Sequence, residues 1–382
     1  MLTRHLYRID EVKAVCKYAL LKKNYREALF WSMELVDTLM IDDLRRVMIS
    51  AWFEGVGRAS YTLLLELIAA EDDDILGFVG AFCYVERDAS IYSLLTLGSL
   101  DWVKQPNRVV PLRIDEGGDE RKRCTLRAIK QGKTLFAWTL LRCHWDDAAW
   151  ELLLRCAAGF REESTIELLR DMAAEYKWES RAAALVLLSD KVGGSWKPIK
   201  QSVDECLFTE WSALEGRRAR RIFAIRPEAI TYGTTRGELP RSQSNIQEIR
   251  EPLTALYGSP YWDTAAADFG GWRPIYKSDE AKETFYELYF PDDIPDEWSR
   301  ADQEKSHGTG LCFVDQAPAC RKEKCMMALL RTFPSMGLVS NTIYAIKKGL
   351  DLGLYESSQE RWVEIQKSWK LEPAKKKIVL VE

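Results

Sequence analysis

The sequence predicts a mainly α protein: stacked helical hairpins in a solenoid-like array, followed by an irregular, aromatic-rich C-terminal part. Three observations carry that expectation. Apolar residues recur at three- and four-residue spacing through most of the first 190 or so positions, the period of a helix with one buried face. The breaks between these stripes are short, so successive helices must fold back on one another as antiparallel pairs. The groups Ala28-Leu29-Phe30-Trp31, Phe136-Ala137-Trp138 and Ala148-Ala149-Trp150 also repeat a theme, as helices in series would. They lack the fixed period of a named repeat class, so an ordinary irregular helical domain is the alternative.

The first region, 1–105, reads as a helical-hairpin domain. Val12, Val15, Cys16, Ala19 and Leu20 define its first stripe. Lys23-Asn24 supplies a turn, and Ala28, Leu29, Trp31, Leu35 and Val36 define the second. Leu44, Val47, Met48, Ala51 and Trp52 form a third, ended by Glu54-Gly55-Val56-Gly57. Leu63, Leu64, Leu67 and Ile68 form a fourth, closed by Glu71-Asp72-Asp73-Asp74. Pro106, Pro111 and Gly117-Gly118 then interrupt the pattern. A second helical array is expected over 119–192, with helices near 121–131, 134–143, 146–158, 164–176 and 181–189. After Val192-Gly193-Gly194 and Lys197-Pro198 the chain becomes rich in Pro, Gly, Tyr and Trp, and 195–382 reads as a mixed C-terminal domain. Helix is expected there over 203–215, 246–257, 279–289 and 321–370, with a short strand over 221–225 before Pro227. The remainder reads as a meander held by aromatic contacts, ending in an extended tail from Pro373.

Composition narrows the function classes. With 382 residues, 47% of them hydrophobic, the chain can bury a sizeable core. Lys and Arg (54) nearly balance Asp and Glu (58), which argues against a whole-surface electrostatic grip on nucleic acid. No apolar run approaches the roughly 18–20 uncharged residues that cross a bilayer. The opening residues carry charge where a signal peptide would be apolar, so a cytosolic protein is expected. Cys16, Cys83, Cys143 and Cys156 sit inside apolar helical patterns, as buried reduced thiols do. The 14 Trp residues read mostly as core, with any exposed ring marking a contact surface.

Reactive motifs are weak. Gln131-Gly132-Lys133-Thr134 resembles the end of a phosphate-binding loop, but Arg127 stands where the first glycine is needed, and a helix–helix turn is preferred. The histidines are His5, His144 and His307. They form no paired-histidine metal motif, and no Gly-x-Ser-x-Gly elbow occurs. No catalytic residue and no cofactor is therefore assigned. His307, Cys312, Cys320 and Cys325 offer one imidazole and three thiols, a set that suits tetrahedral zinc. Their spacing lacks a Cys-x-x-Cys knuckle, and Cys325 opens an apolar run, so no metal is assigned.

Two polar clusters are candidate binding sites. Arg217, Arg218, Arg220 and Arg221 group four guanidinium forks that match phosphates or carboxylates, set against the plainer reading of a solvated helix end paired with Glu210 and Glu215. Asp292, Asp293 and Trp298 lie in an acidic Pro-bounded stretch that reads as a turn or a partner-contact loop. Lys375-Lys376-Lys377 is a weaker basic signal, and its apolar end could add a strand to a partner's sheet edge.

Two stretches carry a family resemblance. Tyr7-Arg8-Ile9-Asp10-Glu11-Val12, continuing through Arg26-Glu27-Ala28-Leu29-Phe30-Trp31-Ser32-Met33-Glu34-Leu35, resembles the start of uncharacterised proteins of nucleocytoplasmic large DNA viruses. Tyr289-Phe290-Pro291-Asp292-Asp293-Ile294-Pro295-Asp296-Glu297-Trp298-Ser299, with Lys305-Ser306-His307-Gly308, is similar to a late segment of the same proteins, in the same order and at similar separation. The resemblance implies a giant-virus protein made in host cytoplasm, such as a minor capsid or assembly component of the virion. The combined expectation is a non-enzymatic scaffold that binds viral structural proteins. The alternative is a nucleic-acid-associated factor in viral replication or transcription that uses the Arg217–Arg221 cluster.

Overall fold

The computed structural model describes residues 1–5, 7–98, 163–189, 203–213 and 256–289, with single positions 125, 128, 129, 134, 137, 138, 141, 150, 151, 154, 223, 225, 229, 352 and 354. Helix accounts for 77% of these, which makes the protein mainly α, and no strand forms among them. Phe223 and Ile225, within the expected strand, lie in none. The first six helices are α1 (Ile9–Lys22), α2 (Tyr25–Asp37), α3 (Ile41–Ala51), α4 (Tyr61–Ala69), α5 (Gly77–Tyr84) and α6 (Ser90–Gly98). Then come α7 (Glu163–Met172), α8 (Lys177–Ser189), α9 (Glu205–Ser212), α10 (Pro260–Ala267), α11 (Trp272–Lys277) and α12 (Asp279–Tyr289).

Contacts divide the chain into two compact units. One comprises Met1–Ser50, Ala70–Tyr84 and Lys200–Leu338; the other comprises Ala51–Ala69, Val85–Ile199 and Val339–Glu382.

In the first unit, Asp10 and Glu11 open α1 and Lys22 closes it, charges that complement the helix dipole. Lys23 then turns left-handed (φ 58°). Its N–H donates to the Leu20 carbonyl and the Asn24 N–H to the Ala19 carbonyl, the two crossed bonds of a Schellman ending. Asn24 caps α2 at once, its side chain accepting from the Glu27 N–H. Two residues thus stop one helix and start the next, which forces the α1–α2 hairpin. The same ending recurs at Leu39 (φ 62°), before α3. Helix α5 packs on both arms of the hairpin. Tyr7, Phe30, Trp31, Trp211 and Phe223 pack edge to face or tilted, with centroids 4.7–6.3 Å apart. That geometry suits the ring quadrupoles. Asp204 caps α9 by accepting from Cys206 and Leu207, and its own N–H donates to the Tyr25 hydroxyl.

The same unit contains a small module, 256–289. The sequence reads most of 258–278 as a meander, whereas the structure forms α10 and α11 there. Pro260 occupies the first turn of α10, where its missing N–H costs nothing. Gly270 (φ 78°) and Gly271 (φ 94°) make the turn into α11, a conformation that side chains resist. Burial then holds these short helices. Leu256, Trp262, Ala265, Ala266, Ile275 and Phe285 form one core, and Leu2 from the start of the chain completes it. The Trp262 indole N–H donates to the Thr3 carbonyl at 2.9 Å, which fixes how that leading segment enters.

In the second unit, α6 and α7 each pack on α8, and α7 also meets α4. A π-helical turn, Trp52–Val56, leads into a 3-10 turn, Gly57–Ala59. Trp52 donates to the Ser60 carbonyl at 2.7 Å, and the Tyr61 hydroxyl donates to the Ala183 carbonyl at 3.0 Å. Gly57 has φ 47°, and a Cβ placed on it would stand 2.7 Å from the Asp88 carbonyl oxygen. Arg58 holds the same loop through Asp88 at 2.7 Å. Arg181 is buried, with its guanidinium over Trp178 and Trp150. The α1–α2 hairpin is present, but a solenoid-like repeat of such hairpins remains an expectation.

Candidate functional site

The residues singled out from the sequence fall elsewhere. Arg217, Arg218, Arg220 and Arg221, the contact candidates Asp292, Asp293 and Trp298, and the zinc candidates His307, Cys312, Cys320 and Cys325 lie outside the described residues. So do Gly132, Lys133 and His144. Among the described residues, no group of three or more His, Cys, Asp or Glu side chains is placed to hold a metal ion.

Two reactive-looking groups of the first unit are spent on structure. Glu34 Oε2 on α2 stands 2.6 Å from His5 Nδ1, and Glu34 Oε1 accepts from the His5 backbone N–H at 3.1 Å. His5 is 4% exposed and Glu34 2%, so this imidazole–carboxylate pair is sealed from any substrate. It fastens residues 1–5 to α2. Thr38 continues the attachment, accepting from the Arg4 N–H while donating to the Glu34 carbonyl. Burial raises the neighbouring Asp37 carboxyl above its ordinary value; Arg4 opposes this, Glu34 adds to it, and His5 opposes it. The second group is Cys16, whose thiol lies 3.4 Å from Ser32 Oγ. Burial pushes that thiol up to about 12, against the Ser32 hydrogen bond, and a thiol held protonated is a poor nucleophile. Cys16 and Cys83 are buried thiols outside any disulfide, as the apolar patterns around them predict, whereas Cys206 is exposed.

The arrangement best suited to a function is on the outside of 256–289. Trp272 and Tyr276 stand one turn apart on α11, so they share a face. Tyr257 joins them from the loop before α10. The Tyr257 and Tyr276 ring centroids each lie 6.2 Å from that of Trp272. The Trp272 indole N–H donates to Asp263 Oδ1 at 2.6 Å, and the same oxygen accepts from the Gly258 N–H at 3.1 Å. One carboxylate on α10 therefore sets both the central ring and the loop that carries Tyr257. Behind the row, Trp272 packs on the Phe285 core. In front, Tyr257 is 61% exposed and Tyr276 45%. Large rings held rigidly and left in contact with water are the usual anchors of protein interfaces.

Nothing local in the sequence marks either feature. His5 and Glu34 are 29 positions apart, and Tyr257 meets Trp272 only because α10 and its following glycines bring the chain back. The abundance of Trp was the available signal, and it led only to the expectation of some exposed aromatic contact surface. Comparison of the chain with protein-family models, curated protein sequences and solved structures gave no match.

Proposed function

We propose that this chain is a non-enzymatic protein–protein interaction scaffold, with the Tyr257–Trp272–Tyr276 row as one docking surface. That row carries the reading: of three neighbouring aromatic rings the two outer ones are well exposed, while the central Trp272 is fixed by Asp263 and backed by a packed core. A further support is the use made of charge elsewhere in the described residues. Lys13 pairs with Asp43, Arg45 with Asp72 and Arg58 with Asp88, each within or between neighbouring helices or turns. Such pairs position helices.

The viral setting rests on the resemblance of 7–12, 26–35 and 289–299 to proteins of large DNA viruses. It makes the partners viral structural proteins and the location the virion or host cytoplasm, with a minor capsid or assembly role. No described helix is long and apolar enough to cross a membrane. The test is cross-linking mass spectrometry and protein inventory on purified particles. The scaffold reading expects this chain among the particle proteins, with cross-links from 257–277 to another component. Absence from particles removes the virion role, and an absence of protein partners in infected cells as well removes the scaffold.

A further inference from the structure

We infer that the Tyr257–Trp272–Tyr276 row accepts a cationic segment of a partner protein, an extended peptide with Lys or Arg at alternate positions. The inference rests on the scaffold reading and names the chemistry of its partner. An aromatic face carries negative charge density and attracts a cation placed over it. The module already uses its rings this way: Arg4 lies 5.6 Å over Tyr261 and Lys282 lies 6.0 Å over Tyr286. The Trp272 N–H is taken by Asp263, so that ring has no hydrogen-bond donor left to offer a partner.

Charge selects the same ligand. The exposed carboxylates of the module are Asp263, Asp268, Asp279, Glu280, Glu283 and Glu287. Against them stand Arg273, Lys277 and Lys282, the last already engaged with Tyr286. This acidic surplus draws a basic peptide and repels a phosphate backbone, which makes base stacking by a single-stranded nucleic acid the disfavoured use of the rings. Spacing agrees as well. Alternate residues of an extended chain are about 6.6 Å apart, close to the 6.2 Å between neighbouring rings. Because Asp263 presets Trp272 and the loop that carries Tyr257, less ordering is left for binding to supply.

Fluorescence anisotropy on the full chain tests this with three labelled probes: a ten-residue alternating Lys-Ser peptide, its Glu-Ser counterpart and a ten-nucleotide oligothymidine. The Lys-Ser peptide is expected to bind and the other two are not. Tyr257→Ser combined with Tyr276→Ser should weaken that binding about tenfold with the helical circular dichroism unchanged. Glu280→Lys combined with Glu283→Lys should weaken it without touching a ring. Lys-Ser binding indifferent to both pairs overturns the inference, as does oligothymidine binding that the tyrosine pair abolishes. If the peptide fails to bind while 257–277 still cross-links to a particle protein, the partner chemistry is wrong and the scaffold stands. If neither occurs, both fall.

Discussion

Replacing Glu34 by alanine should be among the most damaging single changes in the first unit. The carboxylate accepts from the His5 N–H at 3.1 Å and meets the His5 ring at 2.6 Å, inside a site that water does not reach. Truncation leaves two buried polar groups without that partner, at roughly 1–3 kcal/mol each. The expected loss is thus about 2–6 kcal/mol, a large share of the roughly 5–15 kcal/mol that holds a typical domain. Glu34→Gln retains an acceptor for the backbone N–H and should lose only about 1–2 kcal/mol. Urea unfolding followed by near-ultraviolet circular dichroism reads the loss, and hydrogen exchange at residues 1–5 reports whether the leading segment detaches first. A cycle with His5→Ala isolates the pair: the double variant should lose less than the two singles together by more than about 1 kcal/mol. An effect of Glu34→Ala within about 0.5 kcal/mol, or additive singles, would refute the claim that this contact anchors the segment.

Three further outcomes follow from the geometry. Gly57→Ala places a methyl 2.7 Å from the Asp88 carbonyl at φ 47°, and should cost more than about 1 kcal/mol; an unchanged melting temperature contradicts that. Unfolded Cys16 loses its proton near 8.5, whereas the folded thiol holds it to about 12. Above pH 8.5 the unfolded state therefore binds fewer protons, and this group removes stability by up to about 1.4 kcal/mol per pH unit as pH rises through that window. Cys16→Ala should flatten the fall measured by denaturation between pH 8 and 10.5, and an identical slope speaks against the raised thiol. Charge reversal at Arg217, Arg218, Arg220 and Arg221 tests the nucleic-acid alternative, which expects steeply salt-dependent binding that the reversal removes. DNA and RNA binding unchanged by the reversal would eliminate it.

What could be read in advance follows the range of the forces involved. The α1–α2 hairpin was legible because Lys23-Asn24 and the stripes beside it act within a few residues. Helix α12 was legible because charged residues and a spaced Phe285 follow directly on Ser278, whose hydroxyl accepts from the Ala281 N–H. Helix α7 was expected over 164–176 but stops at Met172. Ala173, Ala174 and Glu175 bond back three residues in tight turns that no Gly or Pro announces. Helices α10 and α11 were hidden for a different reason. At eight and six residues they are too short to show a period, and Pro260, Gly270, Gly271 and Pro274 read as breakers. Leu2 and Phe285, far away in sequence, supply the burial that makes them helices. The aromatic row inherits that illegibility, because it exists only once those two helices have formed.

The placement of Leu2 also sets a timetable for biosynthesis. Its pocket is built from Trp262, Ile275 and Phe285, and Thr3 must wait for an indole 259 positions downstream. At about 5–20 residues per second, a ribosome takes on the order of 15–50 s to deliver those groups. Through that interval Leu2 stays open to chaperones or to wrong partners, and the loop that finally closes spans 259 positions. Completion of the Leu2 pocket is therefore a late event in the folding of the first unit, although His5 and Arg4 meet Glu34 and Thr38 on the early-made α2 end. A fusion placed before Met1 would load the segment that fills that pocket.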